Sequence, residues 1–326
     1  MDQSDFKKLL IQEKLILPPM CGYTDYPYRR ILARFGGSIL ITEMIKARAI
    51  LVNNERTMKM LMRSDEEPCT GAQLLGSEPE VMARAALVCQ GLGFSFVDIN
   101  LGCPAKKVVS KQEGGALLKN PDQIGRILRA VRQAIDIPLT IKIRLGFRTN
   151  ELTALVVAKI AEENGVDAIT VHGRSVEQGY SGLVDWQRIK EVAQSVSVPV
   201  IANGGIGNTF MTTEILQQTG AVAVMPGRAI LGNPWLIGEI LHELHGREIG
   251  QFRSIDKIKE TALDHFDSLA RFYNERSACL SMRRFLYFYF KGTPCIVEMR
   301  RKLRTLNSRS DFILLLDEAS TLSNPN

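Results

Sequence analysis

The residue of this 326-residue chain with the plainest chemical potential is Cys103. It stands in Asn100-Leu-Gly-Cys103-Pro104, followed by Ala-Lys106-Lys107 and, further on, by Gly114-Gly115. Gly102 permits a tight turn and Pro104 fixes its geometry, so the spacing predicts a thiol presented on a loop. Free cysteine is often buried as a small hydrophobe, but glycine, proline and lysine are poor core material. Cys21, Cys69, Cys89, Cys279 and Cys295 lack that setting and read as packing residues. No CxxC pair occurs, which argues against a disulfide framework and against a zinc site. No metal is expected, and the compartment is read as the reducing cytoplasm.

Three further groups carry chemistry. Lys142 and the run His172-Gly-Arg174 place an amine, an imidazole and a guanidinium close together. Such a lysine can form a Schiff base, as an aldolase requires, or hold a charged ring system electrostatically. Asn203-Gly-Gly205-Ile-Gly207-Asn208 and Pro226-Gly227-Arg228 suit a phosphate dianion, because glycine turns and helix N-termini offer backbone N–H groups. No GxGxxG follows the first strand, so a Rossmann-type dinucleotide site is not supported. His242 and His245 are three apart rather than four and read as a helix end, not a zinc pair.

These residues need a scaffold that collects strand ends. Short apolar, β-branched runs at 15–20, 38–42, 70–74, 97–100, 139–144, 168–172, 198–203 and 221–225 alternate with helical stretches at 79–90, 121–134, 151–163, 185–194 and 208–218. Alternation of this kind predicts βαβ units on a parallel sheet, and eight of them predict a closed (β/α)8 barrel, an α/β fold. Asp185 and Asn208 are N-cap candidates, and Gly165 and Gly220 fall at helix ends. In a barrel the site lies at the C-terminal ends of the strands. Those ends carry Pro18-Pro19-Met20, Gln73, Asn100, Lys142, His172 and Asn203, and core packing alone would not select so many polar residues there. Past Gly246 the strand signals stop, and 254–316 reads as a small all-α bundle of about four helices. Between 281 and 310 eight basic residues face Glu298 alone, a local net of +7 where the whole chain nets +6. Such a patch is the footprint of a polyanion. No signal peptide or membrane-length apolar run appears.

Taken together, the motifs closely resemble the bacterial-type tRNA-dihydrouridine synthases. The matching stretches are Pro19-Met-Cys-Gly-Tyr-Thr-Asp25, Gln73-Leu-Leu-Gly76, Asp98 through Lys107, Gly115-Ala-Leu-Leu118, Lys142-Ile-Arg-Leu-Gly146, His172-Gly-Arg174, Asn203-Gly204 and Gly227-Arg228. The resemblance implies an FMN-binding TIM-barrel catalytic domain at 1–246 and a helical tRNA-binding domain at 253–326. It implies tightly bound FMN, reduced by NADPH, that saturates the C5–C6 bond of a uridine in tRNA. The residues matching Pro18, Pro19, Met20, Gln73, Lys142 and His172 would line the flavin ring. Those matching Asn203, Gly204, Gly205, Gly227 and Arg228 would hold its phosphate. Hydride goes to C6, and Cys103 would supply the proton to C5 as general acid. The uridine must be turned out of the RNA stack, where Asn100 would bond its edge. Lys106, Lys107, Arg174, Arg300, Arg301 and Arg304 would hold the tRNA. A monomer is expected. Rival readings are an FMN barrel acting on a free pyrimidine, like a dihydroorotate dehydrogenase, a Schiff-base aldolase built on Lys142, and an RNA-binding protein with a dead barrel. The first two leave the basic tail unexplained, and the intact set of strand-end residues speaks against the third.

Overall fold

The computed structural model describes residues 1–248, 250 and 252–323. The packing divides into two compact units, one formed by 1–26 with 37–227 and the other by 27–36 with residues from 228 onward.

The first unit is the barrel. Strands Ile39–Ile41, Cys69–Leu75, Phe96–Leu101, Leu139–Arg144, Ala168–His172, Val200–Asn203 and Ala223–Met225 pair in sequence order, all parallel. Residues 15–17 close the ring through bridges from Leu15 to Val224 and from Leu17 to Leu40. Counting that segment as the first, the described residues form eight staves in chain order. The first stave stops at 17, short of the expected 20, because Pro18 and Pro19 have no N–H to give a ladder. A two-residue strand, Ile45–Lys46, adds to the edge of the third stave. Strands buried on both faces read as nearly unbroken apolar runs, which is why Ile39–Ile41 and Ala223–Met225 have no polar residue.

One end of the barrel is closed by helix Gln3–Glu13, whose Phe6 and Leu10 pack with Ile16, Ile39, Ile41, Phe96, Ile201 and Met225. The Phe6 and Phe96 rings lie 4.9 Å apart between centroids. Gly71 is dictated by this layer, since a Cβ there would sit 2.2 Å from the Phe96 ring. The outer helices begin and end as their sequences require. Asp185 accepts from the Arg188 N–H at 2.9 Å, and Asn208 accepts from that of Met211 at 3.1 Å. Gly165 and Gly220 take φ of 71° and 69° just past their helices.

In the second unit, helices Trp235–His245, Ile255–Phe272, Glu275–Tyr289, Ile296–Lys302 and Arg309–Ser323 surround buried Tyr28, Trp235, His265, Phe266, Phe285 and Tyr289. Its edge falls at 227/228, whereas the sequence places the boundary between 246 and 253. The reason is the apolar face of Trp235–His245. Trp235 packs edge-on against Phe35 at 5.3 Å and Tyr289 at 6.5 Å. His242 and His245 lie in the last turn of that helix, before Gly246 at φ 65°. Residues 324–326 of the expected second domain lie outside the described residues. Among the described residues no helix is long and apolar enough to cross a membrane, and no group of His, Cys, Asp and Glu is arranged to hold a metal.

Candidate active site

Side chains alternate along a stave, so residues two apart share a face. Asp98 and Asn100 on the fourth stave, and Thr140, Lys142 and Arg144 on the fifth, therefore project together. That this face is the interior follows from a single bond. The Lys142 ammonium donates to Asn203 Oδ1 at 2.7 Å, linking the fifth stave to the seventh past the sixth, a reach available only across the inside.

A polar layer follows. Gln73 Nε2 donates to Asp98 Oδ2 at 2.7 Å, and Thr140 Oγ1 donates to Asp98 Oδ1 at 2.6 Å. The carboxylate only accepts, so it fixes the Gln73 carboxamide with Oε1 outward, where Asn100 Nδ2 donates at 2.8 Å. Asn100 Oδ1 then accepts from the backbone N–H of Cys103 at 3.0 Å and Gly102 at 3.3 Å. The loop that carries the thiol is thus anchored, through two carboxamides, to a buried aspartate. Gly114 and Gly115 let the returning chain close over it. A Cβ on Gly114 would lie 3.0 Å from that of Cys103, and one on Gly115 would lie 2.9 Å from the Cys103 carbonyl oxygen. An ion pair between Lys46 and Glu113 ties the same loop to the edge strand.

Arg144 is the largest contributor that sequence reasoning missed. Almost fully buried, it donates to Gly102 O at 2.8 Å, Ser175 O at 2.8 Å and Gly179 O at 2.6 Å, joining the loops after the fourth and sixth staves. Asp98 and Thr140 were missed as well. The signal for all three was parity, because each lies two residues from a residue already singled out.

The charges here are costly to hold. Burial pushes the Asp98 carboxyl up to about 6, opposed by its bonds to Thr140 and Gln73 and by Lys142. Burial brings Lys142 down to about 7, with repulsion from Arg144 adding to it and Asp98 and Cys103 acting against it. Arg144 is lowered to about 10, chiefly by desolvation. Arg174 Nη1 lies 3.3 Å from His172 Nε2, and since a guanidinium only donates, that nitrogen accepts and the ring proton sits on Nδ1. Lys142, Arg144 and Arg174 thus share this end of the barrel with the carboxylates of Asp98, Glu43 and Glu113.

The structure gathers Gln73, Asn100, Cys103, Lys142, His172, Arg174, Asn203 and Gly204 at one end of the barrel. Gly204 takes φ 109°, and a Cβ there would meet the His172 ring at 2.9 Å, so the backbone after the seventh stave lies bare beside the imidazole. Gly205 follows at φ 77° and is exposed. Pro18 is buried, while Pro19 and Met20 are half-buried beyond the first stave. Lys106 and Lys107 are exposed on the short helix Lys106–Val109. Gly227 ends the first unit and Arg228 opens the second. Cys21 departs from expectation. It is exposed on the turn that follows the prolines, not packed in a core, because the stave ends before reaching it. In the second unit Arg300 and Arg304 are exposed, and Arg301 pairs with Glu298 at 3.2 Å. Part of the local excess of charge is used internally. Arg283 donates to Leu306 O at 2.9 Å, Lys302 to Glu318 at 2.7 Å, and Arg309 to Asp267 at 2.7 and 2.9 Å.

A closed parallel barrel whose polar end gathers a lysine, a histidine, paired amides and a loop cysteine defines a (β/α)8-barrel enzyme. Residues 16–323 match the family described as dihydrouridine synthase (Dus). A probable tRNA-dihydrouridine synthase of Rickettsia conorii is 39% identical over 299 residues, covering 91% of this chain and 90% of the relative. The tRNA-dihydrouridine synthase B of Vibrio vulnificus is 37% identical over 298 residues, covering 91% of each chain. That of Pseudomonas aeruginosa is 35% identical over 296 residues, covering 91% of this chain and 89% of the relative. The chain belongs to the dihydrouridine synthase family, and with it to the flavin-dependent oxidoreductases.

Proposed function

We propose that the chain reduces the C5–C6 double bond of a uridine in cytoplasmic tRNA, using FMN and NADPH, with Cys103 as the proton donor. The observation that carries the reading is the bond from Asn100 Oδ1 to the Cys103 N–H at 3.0 Å, which fixes the thiol loop to the polar end of the barrel that also presents Lys142 and His172.

The residues fit a flavin. Lys142 is a cation held half-buried at the barrel mouth, and the Gly204 backbone beside His172 leaves room that a side chain would fill. Gln73, Lys142 and His172, with the backbone at Pro18, Pro19 and Met20, would hold the ring. Asn203, Gly204, Gly205, Gly227 and Arg228 would hold the phosphate. When bound and reduced by NADPH, FMN supplies hydride to C6 of the uridine.

The remaining chemistry belongs to the chain. As charge builds toward C5 and O4, Cys103 Sγ gives its proton to C5, worth roughly 10²–10⁴ in rate for a placed acid. One Asn100 Nδ2–H bonds Gln73, which leaves the other for the uracil edge. Arg174, Lys106 and Lys107, with Arg300, Arg301 and Arg304 of the second unit, hold tRNA phosphates, so affinity falls steeply with salt. In this reading the first unit is the catalytic domain and the second the tRNA-binding domain.

Cys103→Ala tests the assignment. The variant is expected to keep its visible flavin absorbance and its reduction by NADPH while dihydrouridine in tRNA falls at least a hundredfold. Normal dihydrouridine formation would remove Cys103 from the role of acid, and colourless wild-type protein would remove the flavin.

A further inference from the structure

Helix Glu275–Tyr289 of the second unit turns one face inward through Ala278, Cys279, Met282, Phe285, Leu286 and Tyr289. Its opposite face carries Arg276, Leu280, Arg284 and Tyr287, all exposed, and Lys291 continues the stripe past the helix end. Spacings of four, four, three and four keep these residues on one line. From Arg276 to Tyr287 the line runs on the order of 16 Å at the helical rise. The side-chain cations of Arg276 and Lys291 take no hydrogen-bond or ion-pair partner among the described residues. Tyr287 keeps 38% of its surface exposed, and the guanidinium of Arg300, from the next helix, lies over its ring at 5.7 Å.

An exposed aromatic under a guanidinium, flanked by cations along a line, is the arrangement that holds a single nucleic-acid strand, with bases stacking on the ring and phosphates tracking the charge. We infer that this face is a single-strand RNA track on which Tyr287 and Arg300 stack an unpaired base of the tRNA, while Arg276 and Lys291 hold phosphates on either side. The inference rests on the reading that tRNA is the substrate. It adds a base contact to a tail otherwise read as a phosphate-binding patch. A protein or lipid partner would use the positive charge of this face but would not need a planar ring beneath a guanidinium.

The test is tRNA affinity of the full-length protein, measured by fluorescence anisotropy across a salt titration. Tyr287→Leu is expected to weaken binding roughly five- to a hundredfold, the range of one base stacked on an aromatic, with the salt slope unchanged. Tyr287→Phe, which keeps the ring, should bind as the wild type does. Arg276→Gln and Lys291→Gln should each reduce the slope of log K against log salt by about 0.7, the signature of one phosphate contact on a single strand. The substituted residues lie on the surface, so the thermal unfolding of each variant should match that of the wild type, and a binding loss then reports contact rather than folding. Wild-type protein that binds tRNA together with an equally tight Tyr287→Leu variant overturns the stacking site alone. Wild-type protein that does not bind tRNA overturns the functional reading and this inference together.

Discussion

Lys142 makes a quantitative prediction, because a cation brought down to about 7 inside the barrel destabilises the fold at neutral pH. Its ordinary value of 10.5 applies in the unfolded chain. Between about 7 and 10.5 the unfolded state binds the extra proton, so stability rises with pH, by at most about 1.4 kcal/mol per unit. From pH 7, where folded Lys142 is half titrated, to pH 9, the gain is about 2 kcal/mol. In the wild type Asp98 adds little over this range. Its raised carboxyl contributes stability below about 4 that is lost as pH rises through about 6, so above pH 7 it is ionised in both states. Lys142→Met keeps an unbranched side chain of similar length and removes the titration. The two proteins, freed of flavin and built on a Trp235→Phe background so that Trp186 reports the barrel, are compared by urea unfolding at pH 7 and pH 9. Groups that do not interact with Lys142 cancel in the difference, and loss of the ammonium raises Asp98 further, which costs Lys142→Met stability as pH rises and widens the gap. Wild type should gain about 2 kcal/mol on Lys142→Met between the two pH values. A difference that stays constant to within about 0.5 kcal/mol would refute the claim that the surroundings of Lys142 disfavour its charged form.

Two further outcomes follow from contacts at the same end of the barrel. Gly204→Ala forces a side chain into a left-handed conformation 2.9 Å from the His172 ring. It should weaken binding of the proposed flavin at least tenfold by fluorescence titration, and unchanged affinity would mean that the loop after the seventh stave does not hold it. Arg144→Met leaves three backbone carbonyls without their charged donor and should destabilise the barrel by about 3 kcal/mol in urea unfolding. It should also speed alkylation of Cys103 by a thiol reagent, since the loop loses its tie to Gly102, and an unchanged alkylation rate would show that Arg144 does not help to position the thiol.

What was legible from residue types and what was not divide along one physical line. The staves were legible because strands buried on both faces read as short apolar runs, and because these runs alternate with helical stretches along the chain. Their ends were legible because a polar residue at the last position of an apolar run has to be explained by something other than packing. The partnerships among those polar residues were not legible, since they run between staves that chain order separates by tens of residues. Lys142 and Asn203 are 61 positions apart, and Gln73 and Asn100 are 27 apart. Reading Gln73, Asn100 and Asn203 only as ligand contacts therefore missed their first task. Each uses part of its carboxamide to hold another residue of the site, Gln73 holding Asn100, Asn100 the Cys103 loop, and Asn203 the Lys142 amine. A carboxamide suits that work because it donates and accepts at once and carries no charge to desolvate. This also accounts for the domain edge. Trp235–His245 follows the last strand in sequence and so falls within the 1–246 span expected for the barrel, yet its apolar face is matched by Phe35 and Tyr289, and packing rather than order along the chain decides which core it joins.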